Sequence, residues 1–201
     1  MIPAGRLPHL GQPAYVQQIL RRVAALTPVS RARWGRMNVH RMMCHLADSF
    51  DVGLGHRTVS EATGPIQRTL VKWAALYLPA RWPHGSPTRP EVEQGKAGTP
   101  PAGFEQDRQR LVCTIQQFAQ PDRAFQGLAH PVFGLMTEAE WMRWGYLHAG
   151  HYGRLLARLV ARRPWSLAIT ILDSPYRKFI LELPVPPAYS EPNISAVNPA
   201  A

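Results

Sequence analysis

Apolar residues recur at alternating three- and four-residue steps in five stretches of the chain, and each stretch predicts a helix with one inward face. The first, about Ala14 to Leu26, sets Val16, Ile19, Leu20, Val23 and Leu26 on one side. The second opens with Asn38 as N-cap, carries Val39, Met42, Met43, Leu46 and Phe50 inward, and fades at Gly53 and Gly55. The third starts near Pro65, a residue suited to a first turn, and runs through Ile66, Leu70, Trp73 and Leu76 to Pro79. The fourth, about Phe104 to Ala119, brings in Leu111, Val112, Ile115 and Phe118. The fifth is the clearest. Thr137, Glu138, Ala139 and Glu140 spell a capping box, and Trp141, Trp144, His148, His151 or Tyr152, Leu155 and Leu159 continue the stripe until Pro164.

The intervening segments have their own character. Between the third and fourth helices, Pro79 to Gly103 is rich in proline and glycine, and a loop of that length in a compact domain usually serves function or moves. Residues 1–12 read as a flexible N-terminus, 13–164 as one helical domain, and 165–201 as a C-terminal extension. The extension holds two short apolar runs, Leu167 to Leu172 and Phe179 to Leu183, and reads as disordered after about Pro184. The expected class is all-α.

Composition narrows the function classes. The chain is 45% hydrophobic and 18% charged, which is globular composition. No apolar run reaches the roughly 20 residues that span a bilayer, and no apolar segment of a secretory signal is visible, so a cytoplasmic, membrane-free protein is expected. The formal charge is +10, almost all arginine. These arginines are dispersed, and Arg154, Arg158 and Arg162 recur at helical spacing as a solvated face. Nucleic-acid recognition wants clustered charge with interleaved aromatics, so nucleic acid is not the expected partner. Cys44 and Cys113 stand apart without a CxxC neighbour and read as reduced, buried thiols.

The chemistry then rests on histidine. His148 and His151 are one turn apart on the inward stripe of the fifth helix, and His45 lies at the edge of the apolar face of the second. Catalytic zinc sites use three protein ligands with a fourth position open, and helical proteins build them from side chains on facing helices. The alternative for each is a core imidazole satisfied by a hydrogen bond. Asp48, one turn after His45, is a candidate partner or base for it, or a surface residue. His130 precedes Pro131 and suits a rigid loop corner that lines a substrate site. Other enzyme signatures are missing: no phosphate-cradling glycine loop, no GxSxG and no HExxH.

Two landmarks carry a family resemblance. Trp34-Gly35-Arg36-Met37 followed by Met42-Met43-Cys44-His45, and His130-Pro131-Val132-Phe133-Gly134-Leu135-Met136-Thr137-Glu138-Ala139-Glu140-Trp141, resemble DinB-like proteins, most closely a DinB-related subfamily with W-G-x-M…H and HPxFGxLTxxEW motifs. Gly98-Thr99-Pro100 ahead of Phe104 fits as well. The resemblance spans roughly Leu26 to Arg162. It implies an up-and-down four-helix bundle, here with an extra N-terminal helix, the long Pro/Gly loop and an irregular C-terminal extension.

It further implies a divalent metal, zinc or nickel, on three histidines, and a hydrolase or thiol-dependent transferase acting on a small molecule, with a low-molecular-weight thiol as cosubstrate in some members and a homodimer as a plausible assembly. His45 matches the ligand from the early helix and His148 the first of the late pair. The final ligand position holds Tyr152 instead of histidine, and Leu155 stands where a glutamine is expected. His151 lies about 100° around the helix from Tyr152, so which of the two completes the set is open. Trp141, Trp144, His130 and the long loop are expected to shape the substrate pocket. A non-catalytic binding protein with a degenerate metal site is the alternative.

Overall fold

The computed structural model describes residues 7–31, 37–78, 82–83, 87–122, 125 and 127–156, the last four by backbone alone. Trp34, Gly35 and Arg36 of the first landmark, the arginines from 158 onward and the whole expected extension 165–201 lie outside the described residues. Five α-helices appear: α1 (Pro13–Ala24), α2 (Val39–Gly53), α3 (Lys72–Tyr77), α4 (Phe104–Phe118) and α5 (Glu138–Leu156). The structure is mostly helical, as the periodicity predicts. Among the described residues, strand is confined to a small antiparallel hairpin, β1 (Ala129–His130) and β2 (Gly134–Leu135), in which His130 pairs with Gly134.

Local chemistry sets the helix starts. Asn38 Oδ1 accepts the Arg41 N–H at 2.9 Å and so caps α2. At α5 the expected capping box forms: Glu140 N–H donates to Thr137 Oγ1 at 3.2 Å while Thr137 N–H donates to the Glu140 carboxylate at 2.8 Å. α2 packs on α4 and α5, and α1 packs on the same two, so four helices surround one core. Met43, Phe50, Leu111, Ile115, Phe118 and Trp141 are fully buried there. Each such side chain contributes roughly 1.5–3 kcal/mol relative to exposure. The helices approach closely at glycine: a Cβ on Gly145 of α5 would come within 2.7 Å of Leu10 and 2.9 Å of Phe118.

Three expectations change. The N-terminal segment is docked from residue 7: Leu10 is buried, its N–H donates to the Met142 carbonyl at 3.1 Å, and Arg143 donates to the Pro8 carbonyl at 2.6 Å. The third predicted helix runs continuously from residue 65 to 77, but as a π-helical stretch, Gln67–Val71, followed by the six-residue α3, with Leu76 buried. Ile66, Leu70 and Trp73 are exposed, because this segment has the hairpin and α5 on one side only. The long loop, finally, is built rather than irregular over 87–98. A 3-10 turn, Pro90–Val92, packs on α2, and Gln94 bridges to Gly98. A Cβ at Gly98 would meet the Glu93 backbone at 2.7 Å, so that turn requires glycine.

A candidate histidine-lined site

α2 carries His45 into the interior. Asn38 fixes where the helix begins, the apolar face of Met42, Met43 and Leu46 fixes its rotation, and His45 ends up 3% exposed. Its Nδ1 lies 2.8 Å from the Val92 carbonyl oxygen. A carbonyl only accepts, so Nδ1 carries the proton and Nε2 presents a lone pair. That Nε2 is buried and meets no partner. Burial lowers the His45 pKa, partly offset by the Val92 bond.

α5 supplies the facing side. His148 is half-buried, with both ring nitrogens buried and without a partner. Burial first, and then neighbouring imidazoles, push its pKa well below the usual histidine value. Trp144, one turn earlier, stacks on it with ring centroids 4.8 Å apart and planes 21° from parallel. One turn later comes Tyr152, whose ring centroid is 5.1 Å from His148 and 4.9 Å from His45, while His45 and His148 are 5.6 Å apart. The three rings therefore face one another across the gap between α2 and α5. Burial pushes the Tyr152 phenol up to about 12, so it keeps its proton at neutral pH. His151 lies beside Trp82, at 6.1 Å between rings, and adjoins Tyr152.

These side chains border one cavity of about 460 Å³, within the usual range for small-molecule sites. His130 and Trp144 line it as expected. His130 Nδ1 accepts the N–H groups of Val132 and Phe133, both at 3.2 Å, and its ring stacks on Phe133 at 4.5 Å. The HPVFG segment is thus a side-chain-locked turn, closed by Gly134 at φ +67°. Burial lowers the His130 pKa to about 3.

Trp141 is a correction. It is fully buried in the core, stacked on Phe125 at 5.6 Å, and is absent from the cavity wall. The stripe Trp141, Trp144, His148, Tyr152 runs from core to cavity along α5, and Trp141 stands at its core end. Asp48, expected as a partner of His45 or a surface residue, is fully buried and makes no hydrogen bond to His45. Its carboxylate accepts from Thr99 N–H at 2.8 Å, Thr99 Oγ1 at 2.7 Å, Gln94 at 3.1 Å and Arg110 at 2.8 Å, with Arg57 at 3.2 Å. It anchors the loop that carries Val92, and so acts on His45 at one remove.

A second cluster was not anticipated. His40, Cys44 and Asp107 bring their ligand atoms within 4.8 Å of one another, near enough to bind a metal. Among the described residues His45, His148 and His151 do not form such a group. The signal was present in the one-turn spacing of His40 and Cys44, but Asp107 comes from α4. Its Oδ2 lies 2.5 Å from His40 Nε2 and accepts the Ala102 N–H at 2.9 Å. Burial and then Asp107 push the Cys44 thiol up to about 12, so this cluster holds a thiol and is internally hydrogen-bonded. Cys44 and Cys113 are both free, as expected.

No helix among the described residues is long and apolar enough to cross a membrane. No curated protein and no solved structure matches the chain. A family model does match it, over residues 14–158, and on that span, most of its length, the chain belongs to the family described as "Protein of unknown function (DUF1569)".

Proposed function

We propose that this protein is a divalent-metal-dependent enzyme of the DinB-like type, a hydrolase or a thiol-dependent transferase acting on a small molecule. One observation carries the reading: His45 Nε2 and both ring nitrogens of His148 are buried beside one cavity without a partner. An orphaned buried polar group costs about 1–3 kcal/mol, and such groups in a native protein call for a ligand. His45, His148 and Tyr152 fit a three-donor site, two imidazoles and one oxygen. The Val92 carbonyl on His45 Nδ1 is the outer contact that ligating histidines carry, fixing tautomer and ring orientation.

The chemistry supplied by zinc or nickel bound there is a lowered pKa for water or a thiol, or a polarised carbonyl. The chain's own residues do the rest. Trp144 holds the His148 ring in place, Val92 holds His45, and apolar side chains make up much of the cavity wall. DinB-like architecture belongs to the same proposal. Its support is that α1, α2, α4 and α5 each touch two of the others, although α1 then takes a bundle position and α3 is peripheral.

The phenol at Tyr152 favours a second reading, in which the metal site has degenerated and the cavity binds a small molecule without catalysis. Metal analysis of untagged protein separates the two. The enzyme reading expects one zinc or nickel per chain, lost in His45→Ala and His148→Ala and kept in His40→Ala. Sub-stoichiometric metal unaffected by either cavity variant sinks it.

A further inference from the structure

Among the described residues the cavity wall carries one permanently charged side chain, Arg89. Three other arginines meet carboxylates, Arg110 at Asp48 and Asp51, Arg57 at Asp48 and Arg108 at Glu105, while Arg143 is satisfied by the Leu76 and Pro8 carbonyls. Arg89 meets no carboxylate at ion-pair distance among the described residues. Its hydrogen bond goes to the Ser60 hydroxyl, and its Nε is buried without a partner. Glu91 shares Ser60 with it, accepting the Ser60 N–H at 3.1 Å, and its pKa is lowered first by Ser60 and also by the Arg89 charge, without an ion pair between the two. Arg89 also sits three residues before Val92, so one short turn carries both the cation and the carbonyl that orients His45. The same wall carries apolar side chains, among them Val71, Ala75, Val132 and Phe133.

A guanidinium with spare donors recognises a planar oxyanion, because its fork matches a carboxylate with charge-assisted bonds. We propose that the cavity takes an apolar molecule bearing one carboxylate, its oxygens held by Arg89 and its body packed against Val71, Ala75, Val132 and Phe133. The proposal rests on reading this cavity as the substrate site, and it names the class of substrate that the site accepts.

The test compares decanoate with 1-decanol by calorimetric titration of the full chain, in EDTA and again with added zinc. Decanoate binds one per chain in both conditions, at least about tenfold tighter than decanol. Arg89→Gln removes that preference, Arg89→Lys retains part of it, and Ala75→Trp, which fills the cavity, abolishes both. Equal affinity for acid and alcohol, or no binding of either, overturns the proposal, and the wild-type comparison decides even where a variant fails to fold. Decanoate binding that vanishes in EDTA and returns with zinc overturns the Arg89 assignment while supporting the metal. Arg89-dependent binding by a protein that retains no metal sustains this proposal and removes the metal reading.

Discussion

The Nδ1–H of His45 is held by the Val92 carbonyl oxygen at 2.8 Å, and the two residues are 47 apart in sequence. One loop thereby decides the tautomer of a buried imidazole on α2 and leaves its Nε2 with a free lone pair. The completeness of the metal site then turns on Tyr152. Tyr152→His places a third imidazole beside His45 and His148 and is expected to raise zinc affinity on the order of tenfold or more. Competition against a chromogenic chelator reads this directly, and an unchanged affinity removes Tyr152 from the ligand set.

Acid sensitivity follows from the buried histidines. The His130, His148 and His45 pKa values are all lowered by burial. Below about pH 6.5 an unfolded histidine takes up a proton that the buried ring refuses, so the unfolded state binds more protons and acidification destabilises the fold. The stability is fully present above about pH 6.5 and, for His130, is lost progressively down to about 3. The expected slope is about 1.4 kcal/mol per pH unit for each histidine still neutral in the fold. Urea midpoints of metal-free protein between pH 7 and 5 check it, and a flat profile contradicts the burial of these rings.

Asp48 holds the loop that holds His45. Asp48→Asn leaves Arg57 and Arg110 short of their shared carboxylate and is expected to cost about 3–5 kcal/mol, the usual cost of breaking a buried ion pair. Chemical denaturation measures the loss. A change below about 1 kcal/mol would place Asp48 in the surface class that its sequence context also allowed.

Gly145 sits mid-helix, where alanine ordinarily stabilises by about 1 kcal/mol. Here an added methyl meets Leu10, Phe118 and Phe50 within 3.1 Å, so Gly145→Ala is expected to destabilise by about 1–3 kcal/mol. A higher melting temperature for the variant would show that α5 has room to shift.

Cys44 should be unreactive. With its thiol pushed up to about 12, iodoacetamide at pH 8 is expected to leave it unmodified in the native protein and to label it in urea. Native labelling, read by mass spectrometry, would reveal an open or deprotonated His40–Cys44–Asp107 cluster.

What the sequence determined by itself is local. Periodicity located α1, α2, α4 and α5, Asn38 marked the start of α2 and Thr137 with Glu140 that of α5, and the stripe turned His45 and His148 inward, because each depends on neighbours within one helical turn. Tertiary structure alone decided which inward residues share a space. α5 directs Trp141 into the core and Tyr152 to the cavity from the same stripe, because its first half meets Phe118 and Phe125 and its second half meets the gap beside α2. Ile66, Leu70 and Trp73 carry a helical pattern yet stay exposed, since a pattern names a face but not what covers it. The Val92 carbonyl, the Gln94 and Thr99 donors to Asp48 and the spare guanidinium of Arg89 come from a proline- and glycine-rich loop with no periodicity to read. Their roles are set by contacts across tens of residues, and only folding brings those together.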